Sequence, residues 1–291
     1  MSLSLDDALP EKRAARRAFD RAREFDSACF IHDEARARLD ARLDLMRLAP
    51  HVAVDLGCAT GRGAAGLAKR YSAAHVVAID SSLRMLRAAA ASAMPAVTVL
   101  GGDAEALPLR AGSAELVLAN LVLPWCRPDR VFAEAARVLA DGGAFLFATL
   151  GPDSLQEARA AFAAVDDKIH VHAAFDMHDL GDLALAAGLA EPVLDVDRLE
   201  VTYADVAGLV RDLRAIGGVN TAGGRRRALT GPRRWGRFVE RLPRGSDGRL
   251  AVTVELILGQ AWGRGVAAVP RSGAHEIRVP VTRIKRHSES T

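Results

Sequence analysis

Aromatic side chains make up only 5% of this 291-residue chain, which has nine phenylalanines, three tryptophans and two tyrosines. Set beside abundant Ala and Arg, that scarcity is compositional bias and carries no chemistry of its own. Cysteine is also sparse. Cys29, Cys58 and Cys126 form no C-x-x-C pair, and an odd, scattered trio suits a reducing compartment better than a disulfide framework. A net excess of one charge sign is nearly absent too: 39 basic against 36 acidic side chains leave +3, too little to argue for a nucleic-acid partner. No apolar run reaches the roughly 18 residues of a membrane-spanning helix. The N-terminal MSLSLDDALPEKRAARRAF lacks a signal-peptide core, and its acids argue against a transit peptide. There is no H-x-x-x-H spacing for a metal and no Ser/His/Asp or Cys/His constellation. The expectation is a cytoplasmic protein with no membrane, nucleic-acid or metal partner, long enough for one large domain with elaborations or two small ones.

Hydropathy patterning then organises the chain. Residues 11–48 read as one or two amphipathic helices, with Phe19, Ala22, Phe25, Cys29, Ala35, Leu39, Leu43 and Met46 at spacings of three, four or six, closed by Pro50. From 51 the texture changes. Apolar runs at 51–57, 75–80, 97–103, 114–123 and 144–151 alternate with helical stretches at 62–71, 81–93 and 127–143, the last with a glycine stop. That alternation implies a doubly wound α/β domain with a parallel sheet covered on both faces. Beyond 151, helices are expected at 153–165 and 176–188 and strands at 192–203 and 250–262, with a further edge strand at 276–284. The expected organisation is an N-terminal helical segment (1–50), a core (51–203), a lid-like substrate-side insertion (204–249) with a helix and a basic Gly-rich stretch, and a last core strand with a tail (250–291).

The segment Val52-Ala53-Val54-Asp55-Leu56-Gly57-Cys58-Ala59-Thr60-Gly61-Arg62-Gly63 joins the first strand to the first core helix. Glycines at such a turn let the backbone approach a ligand, and open α/β sheets bind ligands beyond the carboxyl ends of their strands. A dinucleotide G-x-G-x-x-G starting at Gly57 fails at Ala59 and Arg62, and no Gly-Lys-Ser/Thr ends the loop. What stands there resembles the D/E-x-G-x-G-x-G pattern of class I S-adenosylmethionine-dependent methyltransferases, with Ala59 in place of the middle glycine. The next strand ends carry matching residues. Asp80-Ser81 ends the second strand, where a carboxylate can accept both ribose hydroxyls; Asp80, Ser81 or Ser82 could equally cap the following helix. Asp103-Ala104 follows the third strand, where the resemblance implies an adenine contact, an ordinary Asx turn being the alternative. Asn120-Leu121 ends the fourth strand, beside the methyl-donor pocket of that class. Asp55, Gly57, Cys58, Ala59, Gly61, Asp80, Ser81, Met85, Asp103, Ala104, Asn120 and Leu121 are the expected S-adenosylmethionine-binding residues.

Segments outside that pattern narrow the subclass. They include Phe19-Asp20-Arg21-Ala22, Leu107-Pro108, Asn120-Leu121-x-Leu123-x-Trp125, Thr149-Leu150-Gly151-Pro152-Asp153-Ser154-Leu155, and Asp176-Met177-His178-Asp179-Leu180-Gly181-Asp182. Arg211-Asp212-Leu213-Arg214-Ala215-Ile216-Gly217, Asn220, Arg225-Arg226-Arg227, Leu229-Thr230-Gly231 and Ala261-Trp262-Gly263 continue the series. Over nearly its whole length the chain resembles the malonyl-[acyl-carrier protein] O-methyltransferase (BioC) family. The resemblance implies methylation of the free carboxylate of a malonyl thioester, on acyl-carrier protein or coenzyme A, toward the pimelate part of biotin. Two departures stand out: Phe25-Asp26 where the family commonly has Tyr-Asp, and Pro124 where it more usually has Gln. Rival readings are an arginine-hydroxylating complex I assembly factor of the same superfamily, a small-molecule methyltransferase, and a non-catalytic cofactor-binding protein.

A malonyl carboxylate, with a pKa of roughly 4, is ionised at neutral pH and needs no general base. Some group must still hold it. Arg211 and Arg214 on the insertion helix are the candidates, with His178 third; surface ion pairing is the plain alternative for the arginines, and a turn or capping role for His178. Trp125 either lines the cofactor pocket or is simply core. Arg225, Arg226, Arg227, Arg233, Arg234 and Arg237 form either a solvated loop or a docking face for the acidic carrier.

Overall fold

The computed structural model describes residues 5–264; the strand expected at 276–284 lies outside the described residues. The N-terminal region opens with α1 (Leu5–Ala8), α2 (Lys12–Arg21), α3 (Phe25–Ala28) and α4 (Phe30–Asp44). Residues 11–48 therefore hold three helices. The apolar spacing does not reveal the breaks, because the residues at the turns, Ala22 and Cys29, are themselves buried at 2% exposure.

The core follows as β1 (Val52–Leu56), α5 (Arg62–Arg70), β2 (His75–Asp80), α6 (Leu83–Ala91), β3 (Val97–Gly101), β4 (Ala114–Asn120), α7 (Pro128–Val138) and β5 (Leu139–Leu150). Helix α7 ends before its expected glycine stop. Leu139 turns to extended backbone and pairs with Ala114, so Gly142 and Gly143 lie within β5. The chain continues through α8 (Gln156–Ala163), α9 (Met177–Ala186), β6 (Ala190–Tyr203), α10 (Val206–Ala215), α11 (Pro232–Arg241) and β7 (Leu250–Trp262). One seven-stranded sheet results, in the order β3-β2-β1-β4-β5-β7-β6. Strands β1 to β5 pair in parallel; β7 is antiparallel to both β5 and β6, which makes the sheet mixed.

Side-chain alternation along the strands builds two cores. Val54, Leu56, Val77, Ile79 and Val117 face α7 and α9, where Phe132, Phe145 and Phe147 pack with ring centroids 5.1–5.6 Å apart. Ala53, Val76, Ala78, Leu116 and Leu118 face the opposite way, against α4 and α5. The insertion lies between β6 and β7. Its helices bury Val206, Leu209 and Phe238 against Ala158 and Ala161 of α8.

The order of strands reverses between β1 and β4, since β2 and β3 lie to one side and β5 to the other. Such a switch point opens a crevice at the carboxyl ends of the strands. Further along the same edge, the segment 149–155 is clamped to β7. The buried Glu255 carboxylate accepts the Asp153 N–H at 2.8 Å and its carbonyl accepts the Gly151 N–H at 2.9 Å. No side chain at Gly151 fits beside that carboxylate, so the Gly-Pro-Asp-Ser motif is part of the sheet's architecture.

Candidate functional site

A cavity of about 420 Å³ occupies the switch point. Its floor is the β1–α5 loop. Gly57 and Gly61 hold positive φ of 71° and 86°, and Ala59 holds 46° despite its methyl group. A Cβ on Gly57 would stand 2.7 Å from Val122, so only glycine fits there. Leu121, at φ 55°, is a second strained non-glycine residue in the wall. Left-handed backbone at such residues costs roughly 1–3 kcal/mol and is characteristic of functional sites.

Asp80 ties the floor to the next strand end. One carboxylate oxygen accepts the Ala59 N–H at 3.0 Å, the other the Ser82 N–H at 2.8 Å. Burial raises its pKa, opposed by those backbone donors. The N-cap of α6 is Ser82, whose hydroxyl oxygen accepts from Met85 N–H at 3.3 Å. Asp80 is thereby left to brace the loop and face the cavity with Ser81. Gly101, Gly102, Asp103 and Ala104 form the third wall, and Asn120 and Leu121 the fourth.

Eight of the twelve expected cofactor residues thus line one cavity: Gly57, Ala59, Asp80, Ser81, Asp103, Ala104, Asn120 and Leu121. The other four shape it from behind. Asp55 is fully buried, and burial, opposed first by Arg36, pushes its pKa up to about 6. Cys58 and Met85 are buried, and Gly61 starts α5 in left-handed backbone.

The roof comes from the N-terminal helices. Lys12, Ala15, Arg16 and Phe19 of α2 line the cavity, joined by Phe25 and His32. Lys12 Nζ lies 2.7 Å from both Asp103 and Glu105. Trp125 also lines the cavity, edge-on to Phe19 at 5.1 Å and to His172 at 5.2 Å. His172 is held by the Thr221 N–H, which its Nε2 accepts at 2.7 Å, and burial lowers its pKa to about 4. His32 packs edge-on to Phe25 at 5.0 Å and is likewise pushed down to about 4 by burial. The sequence reading missed the α2 residues as wall-formers. Their spacing of 12, 15, 16 and 19 marks one helix face, but periodicity does not say what that face covers.

No residue of 204–249 lines the cavity. The insertion reaches it through α2: Glu11 N–H donates to the Thr221 carbonyl at 2.8 Å, and Pro10 bridges Ala222. Arg211 and Arg214 line a separate groove with Arg21, Arg23 and Glu24. His178 sits in the first turn of α9 with its side chain 80% exposed, and the cap there is Asp176, which accepts the N–H groups of His178 and Asp179. In the basic stretch, Arg225 and Arg227 both pair with Glu11, and Arg234 stands 3.6 Å from Asp166. Arg226 has a buried Nε, and Arg237 donates to the Ala164 carbonyl at 3.2 Å.

Residues 54–147 match the methyltransferase domain family. Among solved structures, the YcgJ protein from Bacillus subtilis superposes with a TM-score of 0.58 at 18% identity, covering 78% of this chain and 97% of that one. A putative methyltransferase from Bacillus halodurans gives 0.54 at 18% identity, covering 78% and 99%. These likenesses show a Rossmann-like class I methyltransferase fold, whose cofactor is S-adenosylmethionine. The wall described above fits such a group: Gly57 in the floor admits no Cβ, a buried carboxylate stands at a strand end, and apolar and amide groups close the far side. Relatives match far beyond the domain. The malonyl-[acyl-carrier protein] O-methyltransferase of Gallionella capsiferriformans is 39% identical over 285 residues, covering 94% of this chain and 98% of that protein. Its namesake from Laribacter hongkongensis is 42% identical over 265 residues, covering 87% and 89%. Identity of that extent over nearly the whole length of both proteins makes this chain a member of the malonyl-[acyl-carrier protein] O-methyltransferase family.

Proposed function

We propose that this protein methylates the free carboxylate of a malonyl thioester carried on acyl-carrier protein, acting in the cytoplasm as an early enzyme of biotin synthesis. The observation that carries the reading is end-to-end similarity to relatives of that name, at 39% identity over 94% of this chain. S-adenosylmethionine, when bound, supplies an electrophilic methyl group. In this reading Asp80 receives the ribose hydroxyls, Asp103 and Ala104 the adenine, and Gly57, Asn120 and Leu121 flank the methionyl end.

The chain's own residues have little covalent work to do. The acceptor carboxylate is already ionised at neutral pH. His32 and His172, both held near 4, are neutral there and add no cationic charge of their own. The task is to orient two reactants in line, which can be worth roughly 7–11 kcal/mol. Phe19, Phe25 and Trp125 provide rigid apolar walls that keep water from the reacting end. For the acceptor carboxylate, the cations that line the cavity are Lys12, Arg13 and Arg16. Lys12 is engaged by Asp103 and Glu105, whereas Arg13 and Arg16 have no acidic partner among the described residues. This favours Arg13 and Arg16 over Arg211, Arg214 and His178 as the first carboxylate contacts.

The test is rescue of a biotin-requiring bacterial strain that lacks its own malonyl methyltransferase. Wild-type protein restores growth without biotin and an Asp80→Ala variant does not. Failure of well-expressed wild type would count against the assignment of acceptor.

A further inference from the structure

Helix α2 has two working faces. Lys12, Ala15, Arg16 and Phe19 roof the cofactor cavity, while Ala14, Arg17, Ala18 and Arg21 look the other way, into a groove shared with Arg214. That groove continues over α10, because Arg21 and Arg214 also line the adjoining depression with Arg23 and Arg211. Arg17, Arg21, Arg23, Arg211 and Arg214 are all exposed. None of the five has an ion-pair partner among the described residues, and Glu24 is the one acid in the lining. Within the same depression stand Leu229, 93% exposed, and Trp235, 37% exposed. Uncompensated guanidinium groups around exposed apolar and aromatic side chains are the composition of a recognition surface, in which Arg and Trp are enriched.

In the basic stretch 225–234, by contrast, three of the five arginines are engaged within the molecule, and Arg233 alone of the five is both exposed and without an ion pair among the described residues. Arg225 and Arg227 neutralise Glu11, and Arg234 faces Asp166. Charge already paired internally contributes little to steering a partner, whereas free charge raises its on-rate.

We infer that the α2–α10 groove is where the acidic carrier protein docks, resting on the proposed malonyl-carrier activity. The occupant is an acidic protein surface, which matches the five free arginines in charge. Its acyl arm then has a short way to travel, since the floor of the docking groove and the roof of the cavity are opposite faces of one ten-residue helix.

The experiment compares wild type with an Arg17→Gln/Arg21→Gln/Arg211→Gln/Arg214→Gln variant and an Arg226→Gln/Arg233→Gln/Arg234→Gln variant. Binding of unacylated holo-carrier is measured by fluorescence anisotropy at low and high salt, and kcat/KM is measured with malonyl-carrier and with malonyl-pantetheine. S-adenosylhomocysteine affinity checks the fold of each variant. The groove variant is expected to bind carrier about tenfold more weakly, with a flatter salt dependence. It should lose kcat/KM on malonyl-carrier to the same extent while keeping it on malonyl-pantetheine. The second variant is expected to match wild type on both. Unchanged carrier affinity in the groove variant, or a larger loss in the other, overturns the inference, as does tighter wild-type binding of a single-stranded RNA than of carrier. Salt-sensitive, groove-dependent carrier binding without methylation of either thioester would sustain the docking surface and contradict the activity instead.

Discussion

Ala59 donates its backbone N–H to the Asp80 carboxylate at 3.0 Å while holding a left-handed φ of 46°. The contact joins two strand ends and makes the floor of the cavity. It also keeps an alanine in a conformation that glycine adopts without strain. An Ala59→Gly variant is therefore expected to be more stable by about 1 kcal/mol. Thermal unfolding should show a melting temperature higher by about 2 °C. A lower melting temperature would mean that the methyl group's packing outweighs its backbone strain.

Removing the other partner has the opposite effect. In Asp80→Asn one of the two backbone donors, Ala59 N–H or Ser82 N–H, loses a carboxylate acceptor. Affinity for S-adenosylhomocysteine, read by titration calorimetry, is expected to fall at least about tenfold, the equivalent of one charge-assisted hydrogen bond. Asp80→Ala should fall further, and wild-type affinity in either variant would remove Asp80 from the site.

Crowding and backbone strain are separable at two glycines. Gly57 and Gly112 have similar positive φ, 71° and 63°, but a Cβ at Gly57 would lie 2.7 Å from Val122, whereas nothing lies within 4 Å at Gly112. Gly112→Ala should cost about 1 kcal/mol, from backbone strain alone. Gly57→Ala should cost about 2 kcal/mol more and weaken cofactor binding as the floor shifts. Equal losses in chemical denaturation would show that the floor relaxes freely.

Acid should unfold the protein through its buried histidines. His32 and His172 are held near 4 by burial, against 6.5 for an ordinary imidazole. With depressed folded pKa values, their contribution is intact above 6.5 and is lost as pH falls toward 4, by up to about 3 kcal/mol each. Asp55, raised to about 6, and Asp80, also raised by burial, work the other way over part of that range, so the drop is smaller than the two histidines alone would give. Stability to urea should thus drop between pH 6.5 and pH 4, and a His172→Gln variant should show a shallower drop. An equal slope in that variant would mean His172 protonates without cost.

Much of this site was legible in the sequence because strand ends carry it. Asp80 and Asn120 close their strands, Asp55 stands one residue before the end of β1 and Asp103 two residues past β3, and the sheet aligns those ends without further information. Less legible was whatever depends on which neighbour a helix meets. Arg211 and Arg214 do sit on the expected helix, yet that helix packs by α3, and both side chains open into a groove behind the cavity roof. Helix α11 hid in a Gly- and Arg-rich stretch, since Phe238 alone among its residues is buried. The break between α7 and β5 was masked by alanines and by Leu139, which suit helix and strand alike.

The most direct measurement of the central claim is mass spectrometry of malonyl-acyl-carrier protein incubated with the purified protein and S-adenosylmethionine. The account predicts a product heavier by one methylene unit, located on the malonyl carboxylate as a base-labile methyl ester, with one S-adenosylhomocysteine released per ester formed. Cofactor bound at the strand ends, with no ester formed on malonyl-carrier or malonyl-coenzyme A, would contradict it.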